Sequence, residues 1–161
     1  MILLSVGTQF PFDRLVQAVD EWALRTGRTD VLGQIGPSTY KPKAMKCFGL
    51  VSPDEMRDFQ AQADIMIAHA GMGSILTAME LGKPIIVFPR DHTLGEHRNG
   101  HQMDTANRFS ETPGVFVARS VEELLRYLNN LQGLLAAQNG SRAELARLAD
   151  NLRSFIGTAH I

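Results

Sequence analysis

Two apolar runs, Asp64 to Ala68 and Ile85-Ile86-Val87-Phe88, stand one short helix apart, and this spacing constrains the fold more than any other feature of the chain. A strand that alternates apolar and polar residues can leave one face in water. A continuous run has to be covered on both faces, which is the situation of a strand inside a parallel sheet. Between the runs lie the turn His69-Ala70-Gly71-Met72-Gly73-Ser74 and a helix-like stretch from Ser74 to Leu81, with Gly82 and Pro84 as its stop. Together they read as a βαβ crossover. The expectation is an α/β fold, Rossmann-like and doubly wound with a mainly parallel sheet, in which ligands bind beyond the carboxyl ends of the strands.

The rest of the chain fits the same alternation. Ile2 to Val6 is a short apolar strand ending at Gly7-Thr8, and Leu15, Val16, Val19, Trp22 and Ala23 recur at helical spacing behind a cap at Asp13. Gly27 ends that helix, Val31 to Ile35 is a second strand, and Gly36 to Lys46 is a loop made basic by Lys41, Lys43 and Lys46. Lys46 to Val51 reads as a short strand, followed by a helix to about Gln62 behind the capping box Ser52-Pro53-Asp54-Glu55. After Phe88 come a helix from about Gly100 to Phe109, a strand Gly114 to Ala118, a capping-box helix starting at Ser120, and a last helix starting at Ser141-Arg142-Ala143-Glu144. The stripes Leu124, Leu128, Leu131 and Leu145, Leu148, Leu152, Phe155 are read as core.

Length places all of residues 1–161 in one domain, large enough for a real core without disulfides or metals. Lys and Arg number 16 against 17 Asp and Glu, a balance that lacks the basic footprint of a nucleic-acid binder. The single cysteine, Cys47, has no partner for an internal bridge, and the start of the chain lacks an export signal, so a cytoplasmic protein is expected. No apolar run approaches the roughly 18 residues of a membrane span, so a lipid-linked substrate would be reached through an attached partner.

Chemistry gathers at three strand ends: Gly7-Thr8-Gln9, His69 to Ser74, and the polar segment from Arg90 to Gln102. A glycine turn opening a helix lets backbone amides approach an anion, and the helix N-terminus adds a partial positive charge, so the His69 to Ser74 turn suits a diphosphate. The polar segment holds Arg90, Asp91, His92, Glu96, His97 and Arg98, with His101 and Gln102 beyond it. His97 and His101 are four apart and would share a helix face, a weaker rival reading as metal ligands with His92 or Glu96.

The turn His69-Ala70-Gly71-Met72-Gly73-Ser74-Ile75-Leu76, followed by Leu81-Gly82-Lys83-Pro84 through Pro89 and then His101-Gln102, resembles the UDP-sugar-binding C-terminal half of GT-B glycosyltransferases of the lipid II synthase type. Val6-Gly7-Thr8-Gln9 with Phe12-Asp13-Arg14-Leu15 is similar to the first strand and turn of that half. In length and pattern the chain looks like stand-alone donor subunits: the catalytic subunit of the transferase making dolichol-linked chitobiose, and small subunits of bacterial exopolysaccharide glycosyltransferases. The phrase Leu94-Gly95-Glu96-His97-Arg98-Asn99 leans toward the exopolysaccharide group and a glucuronosyl donor.

The resemblance implies half of an inverting transferase. UDP-sugar is the donor, no metal or other cofactor is expected, and a membrane-anchored partner subunit brings the lipid-linked saccharide acceptor and the catalytic base. It puts the diphosphate over Gly71, Met72, Gly73 and Ser74, with Gly7, Thr8 and Gln9 approaching from the other turn, His69 lining the pocket, and His101-Gln102 toward the sugar. Thr77 stands where many relatives carry a ribose-binding glutamate, and Glu80 lies one helical turn further. Arg90, Arg98 and Glu96 are candidates for selecting an acidic sugar or for contacting the partner, and His69, His92 and His97 are the candidate titrating groups. A non-catalytic UDP-sugar-binding or regulatory module and a UDP-sugar epimerase-like enzyme remain as alternatives.

Overall fold

The computed structural model describes residues 1–98 and 100–140. In chain order the elements are β1 (Ile2–Ser5), α1 (Asp13–Thr26), β2 (Val31–Gln34), β3 (Lys46–Phe48), α2 (Pro53–Gln62), β4 (Ile65–His69), α3 (Met72–Leu81), β5 (Ile85–Phe88), α4 (His101–Phe109), β6 (Val115–Val117) and α5 (Val121–Asn129). Residues 131–140 are also helical. The helix expected from Ser141 and its stripe through Phe155 lie outside the described residues.

All strand pairs are parallel, in the order β3-β2-β1-β4-β5-β6. Leu4 of β1 is in register with Gly33 of β2 on one side and Ile67 of β4 on the other. The direction of winding reverses between β1 and β4, which opens a crevice at their carboxyl ends. This is the Rossmann-like α/β sheet that the two apolar runs predict.

Both faces of the sheet are covered, which explains why those runs do not alternate. Leu4, Val6, Ile65, Ile67, Ile86 and Phe88 pack with Leu15, Val16, Val19 and Trp22 of α1 and Leu124 and Leu128 of α5. Leu3, Met66, Ala68, Ile85 and Val87 face the opposite way, toward Ile75 and Ala78 of α3 and Ala106 of α4. Leu131 and Leu134 extend the first cluster, so this stripe is core.

Helix ends follow local chemistry. Gly27 and Gly82 close α1 and α3 in the left-handed conformation at φ 67° and 61°, and Ser52 with Glu55 forms a complete capping box. At α5 only half of the expected box forms. Ser120 accepts the Glu123 amide, but the Glu123 carboxylate takes the Arg119 amide at 2.7 Å. Strand β3 stops at Phe48 instead of Val51, and α3 starts at Met72, two residues earlier than Ser74, because glycine at 73 fits the first turn as readily as a loop.

Asp13 does not cap α1. It is the first helical residue, behind Phe12, and its carboxylate accepts from the Ser38 and Thr39 hydroxyls and the Thr39 amide instead. Two turns on, buried Asp20 accepts the amides of Lys43, Ala44 and Met45 at 2.8, 2.9 and 3.0 Å and the Tyr40 hydroxyl at 3.0 Å. Burial alone would raise the pKa of Asp20, but those donors outweigh it and hold the carboxyl below its ordinary value. The basic loop is thus fixed to α1 from beneath while Lys41, Lys43 and Lys46 stay exposed.

Candidate functional site

Three loops meet where the sheet reverses: Val6 to Phe12 after β1, Ala70 and Gly71 after β4, and Pro89 to Gly100 after β5. They enclose an open crevice of about 290 Å³ lined by Val6, Gly7, Thr8, Gln9, Phe10, His69, Arg90, His97 and Gln102. Seven of the residues singled out from sequence therefore converge: Gly7, Thr8, Gln9, His69, Arg90, His97 and Gln102.

His69 ends β4 and forms the base of the crevice. Its ring lies so close to two glycine backbones that a Cβ at Gly7 would come within 3.1 Å of it and one at Gly71 within 2.5 Å. Gly7 sits at φ +80°, a conformation that glycine adopts without strain. Gln34 of β2 fixes the Gly7 peptide from both sides: its Oε1 accepts the Gly7 amide and its Nε2 donates to the Gly7 carbonyl, each at 3.2 Å. His69 Nδ1 lies 3.5 Å from the Ser5 carbonyl, which can only accept, so in the neutral ring the proton belongs on Nδ1. Burial depresses the His69 pKa, the Ser5 carbonyl works against that shift, and Arg90 and His97 add to it. The imidazole is accordingly neutral at pH 7.

Arg90 and Gln102 form the opposite wall. The Arg90 guanidinium, 3% exposed, donates to the carbonyls of Val6, Phe10, Pro11 and Glu96 at 2.7, 2.8, 2.6 and 3.2 Å. The Arg90 amide donates to Gln102 Oε1 at 3.0 Å, which leaves Nε2 as the donor end of this buried side chain. Arg14 holds Glu96 through two bonds of 2.8 and 2.7 Å, and Glu96 also accepts the Asp91 amide. Arg14 and Arg90 lie 4.3 and 4.5 Å from the ring centres of Phe88 and Phe12, which stack on each other. Neither Arg14, Gln34 nor this aromatic pair was evident as site machinery, because their partners lie 27 to 82 residues away in sequence.

The helix termini sort by distance from the crevice. The helices that follow its three loops, α1, α3 and α4, have no side-chain cap at their N-termini, and the first turn of α3 carries no acidic residue. By contrast α2 and α5, whose preceding loops contribute nothing to the crevice, are capped by Ser52 and Ser120. Of the three uncapped ends only that of α3 also lacks an acidic residue, since α1 carries Asp13 and α4 carries Asp104 in the first turn. The start of α3 beside the crevice is thus the end best suited to an anion.

The remaining expected residues lie apart from the crevice lining. Met72, Gly73 and Ser74 form the first turn of α3 beside it, and Gly71 reaches it only through its contact with His69. Thr77 is half-buried a turn further, and Glu80 is exposed, 3.8 Å from Arg57. Glu96 is committed to Arg14, and His92 is exposed on a turn that packs near Gly100. His97 and His101 do not share a helix face: His97 precedes α4 and stacks edge-on against Phe10, whereas His101 opens α4, exposed, 3.9 Å from Asp104. Among the described residues no group of three His, Cys, Asp or Glu is placed to hold a metal ion.

The profile of the glycosyltransferase family 28 C-terminal domain matches residues 1–148. The chain belongs to this family. Its α/β sheet aligns with the glycotransferase of kitacinnamycin at a TM-score of 0.64 and 19% identity, covering 95% of this chain and 42% of that one. It also aligns with the solution structure of ALG13 at a TM-score of 0.56 and 21% identity, over 82% of this chain and 85% of that one. Among sequences, the UDP-N-acetylglucosamine transferase subunit ALG13 of Saccharomyces cerevisiae is 33% identical over 89 residues, 55% of this chain and 36% of that protein. The human protein of the same name is 26% identical over 125 residues, 71% of this chain and 11% of that protein. The family 28 chain thus spans well under two thirds of these curated relatives. No helix among its described residues is long and apolar enough to cross a membrane.

Proposed function

We propose that this family 28 domain is the donor-binding part of a UDP-sugar-dependent glycosyltransferase, taking UDP-N-acetylglucosamine and acting with an acceptor-binding polypeptide anchored at a membrane. The observation that carries the reading is the polar crevice at the β1/β4 reversal, with the uncapped, acid-free start of α3 beside it. A diphosphate placed there meets amides of the α3 turn on one side and the Gly7 to Gln9 loop on the other. Fixed dipoles then take up the charge that develops on departing UDP, and no residue has to move to supply them. His69, whose neutral ring keeps its proton on Nδ1 toward Ser5, donates from Nε2 to a phosphate only when it takes up a second proton, and Gln102 offers its Nε2 to the sugar.

The donor follows from two considerations. The human and yeast relatives are UDP-N-acetylglucosamine transferase subunits. For a glucuronate carboxylate Arg90 is poorly placed, because it gives most of its guanidinium to backbone carbonyls, and Glu96 faces Arg14, which leaves exposed Arg98 over the Phe10 ring as the one candidate of the three. An exopolysaccharide role rests on the Leu94 to Asn99 phrase alone and is set aside. At about 290 Å³ the crevice falls just below the ~300–1,000 Å³ range of ligand pockets, consistent with a site that a second polypeptide completes. Transfer proceeds as a single displacement with inversion, the acceptor hydroxyl losing its proton to a base on the acceptor side.

Calorimetric titration with UDP, UDP-N-acetylglucosamine and UDP-glucuronate tests the binding half of this reading, and transfer in the presence of an acceptor-binding partner polypeptide tests the rest. Binding of UDP with preference for the N-acetylhexosamine is expected. Binding without turnover beside the partner would favour a regulatory module, turnover of the donor without acceptor an epimerase, and no binding at millimolar UDP would refute the site.

A further inference from the structure

Arg90 is a buried cation with no direct ion pair among the described residues, and the Glu96 carboxylate reaches it only as a longer-range charge. Glu96, whose main-chain oxygen it binds, turns its carboxylate to Arg14 and the Asp91 amide instead. A buried guanidinium is held in its charged form by the oxygens around it, and here these are four carbonyls drawn from two different loops. Val6, Phe10 and Pro11 belong to the wall after β1, and Glu96 belongs to the wall after β5. The same residue's amide anchors Gln102 at the start of α4.

We infer that Arg90 is a positioning residue, which locks the two walls of the crevice together and makes the crevice electropositive for a diphosphate without itself touching the ligand. This rests on the proposed donor reading. Two duties are combined in one side chain, and they are separable by chemistry. The fork of the guanidinium supplies fixed donors in one plane to carbonyls that approach from several directions, which a lysine ammonium on a flexible stem cannot reproduce. The positive charge, in contrast, is shared by both residues. It acts across the low-dielectric crevice on whatever titrates there, and the groups facing His69 are Arg90, His97 and the Ser5 carbonyl. Four of the five guanidinium N–H groups are given to backbone oxygens, so the side chain acts on the crevice mainly through the walls it holds and through its charge.

The test compares the full chain with Arg90→Lys and Arg90→Gln by amide hydrogen exchange, by NMR titration of the His69 ring and by UDP titration. In both variants the amides of Gly7 to Phe10 are expected to exchange on the order of 100-fold faster, while those of Leu4 and Ile67 in the sheet keep their protection. Only Arg90→Gln raises the His69 titration midpoint, since Arg90→Lys keeps the charge. UDP affinity falls about 30-fold in Arg90→Gln and by a smaller factor in Arg90→Lys, with the salt dependence of binding weakened only in the former. A purely structural arginine would loosen the loop alike in both and leave the midpoint of His69 unmoved in both, which overturns the inference. So does wild-type exchange in Arg90→Gln, or loss of sheet protection in both variants, which would make Arg90 a folding residue. If loop and imidazole respond as stated but wild type binds no UDP, the positioning role stands and the donor reading fails.

Discussion

Gly71 and Gly73 are separated by one residue, and the structure assigns them opposite consequences on gaining a methyl group. At Gly71 an added Cβ would lie 2.5 Å from His69 Nε2 and 3.1 Å from two ring carbons, so the imidazole has to retreat by roughly 1 Å to reach ordinary contact. The ring cannot do so freely, because Gly7 packs against its other edge and Nδ1 faces the Ser5 carbonyl. Gly71→Ala is therefore an overpacking change, expected to cost about 1–3 kcal/mol and to lower Tm by roughly 3–10 °C. At Gly73 an added Cβ meets nothing within 4 Å, and the residue lies in the first turn of α3. Gly73→Ala is expected to stabilise the free protein by up to about 1 kcal/mol through helix propensity. If the diphosphate rests against the α3 amides, the same methyl group occupies its approach and lowers UDP affinity about tenfold or more. Thermal unfolding and calorimetry on the two variants decide the matter. A Gly73→Ala protein that binds UDP like wild type, or a Gly71→Ala protein as stable as wild type, refutes the reasoning.

The pH dependence should run in two directions at once. Folded His69 holds its proton less readily than the reference value of 6.5, so acidification below that value favours the unfolded chain and stability falls, while a diphosphate favours the protonated ring and UDP binds more tightly. Calorimetry between pH 5.5 and 8 in wild type and His69→Gln measures both trends, and the variant should show neither, to within about 0.3 kcal/mol. Asp20→Ala removes the acceptor of three backbone amides and a phenol, with an expected loss of about 2–4 kcal/mol by denaturant unfolding. The contribution of this carboxylate is present in full above pH 3.8 and disappears as the pH falls through its lower folded pKa. Ser120→Ala removes one helix cap far from the crevice and should cost about 1 kcal/mol while leaving UDP affinity unchanged in the same titration.

The sequence is most transparent where the determinants are local. The glycines at 27 and 82, the Ser52 box and the paired apolar runs each act within a few residues of where they sit, and β4, α3 and β5 follow from them. The crevice was legible as three strand ends, because a parallel sheet brings its carboxyl ends together whatever the loops contain. Roles that depend on distant partners were not legible. Arg90 reads from its neighbours as a charge available for a ligand, yet the carbonyls that consume its donors come from residues 79 to 84 positions earlier. Glu96 likewise looks free until Arg14 is brought across the sheet. Asp13 obeys the preference for an N-terminal acidic residue but serves another loop, since Ser38 and Thr39 offer it hydroxyl donors. The helical spacing of His97 and His101 suggested a shared face that vanishes because α4 begins only at His101.

The start of α3 beside the crevice, with neither a side-chain cap nor an acidic residue in its first turn, carries a practical corollary. Backbone amides do not discriminate among tetrahedral oxyanions, so on the proposed donor reading inorganic phosphate, sulfate and pyrophosphate are expected to compete with nucleotide and to depress its apparent affinity as their concentration rises. Buffers of those salts will raise the melting temperature of the free chain and conceal its preference for a donor, whereas chloride with an organic buffer will reveal it.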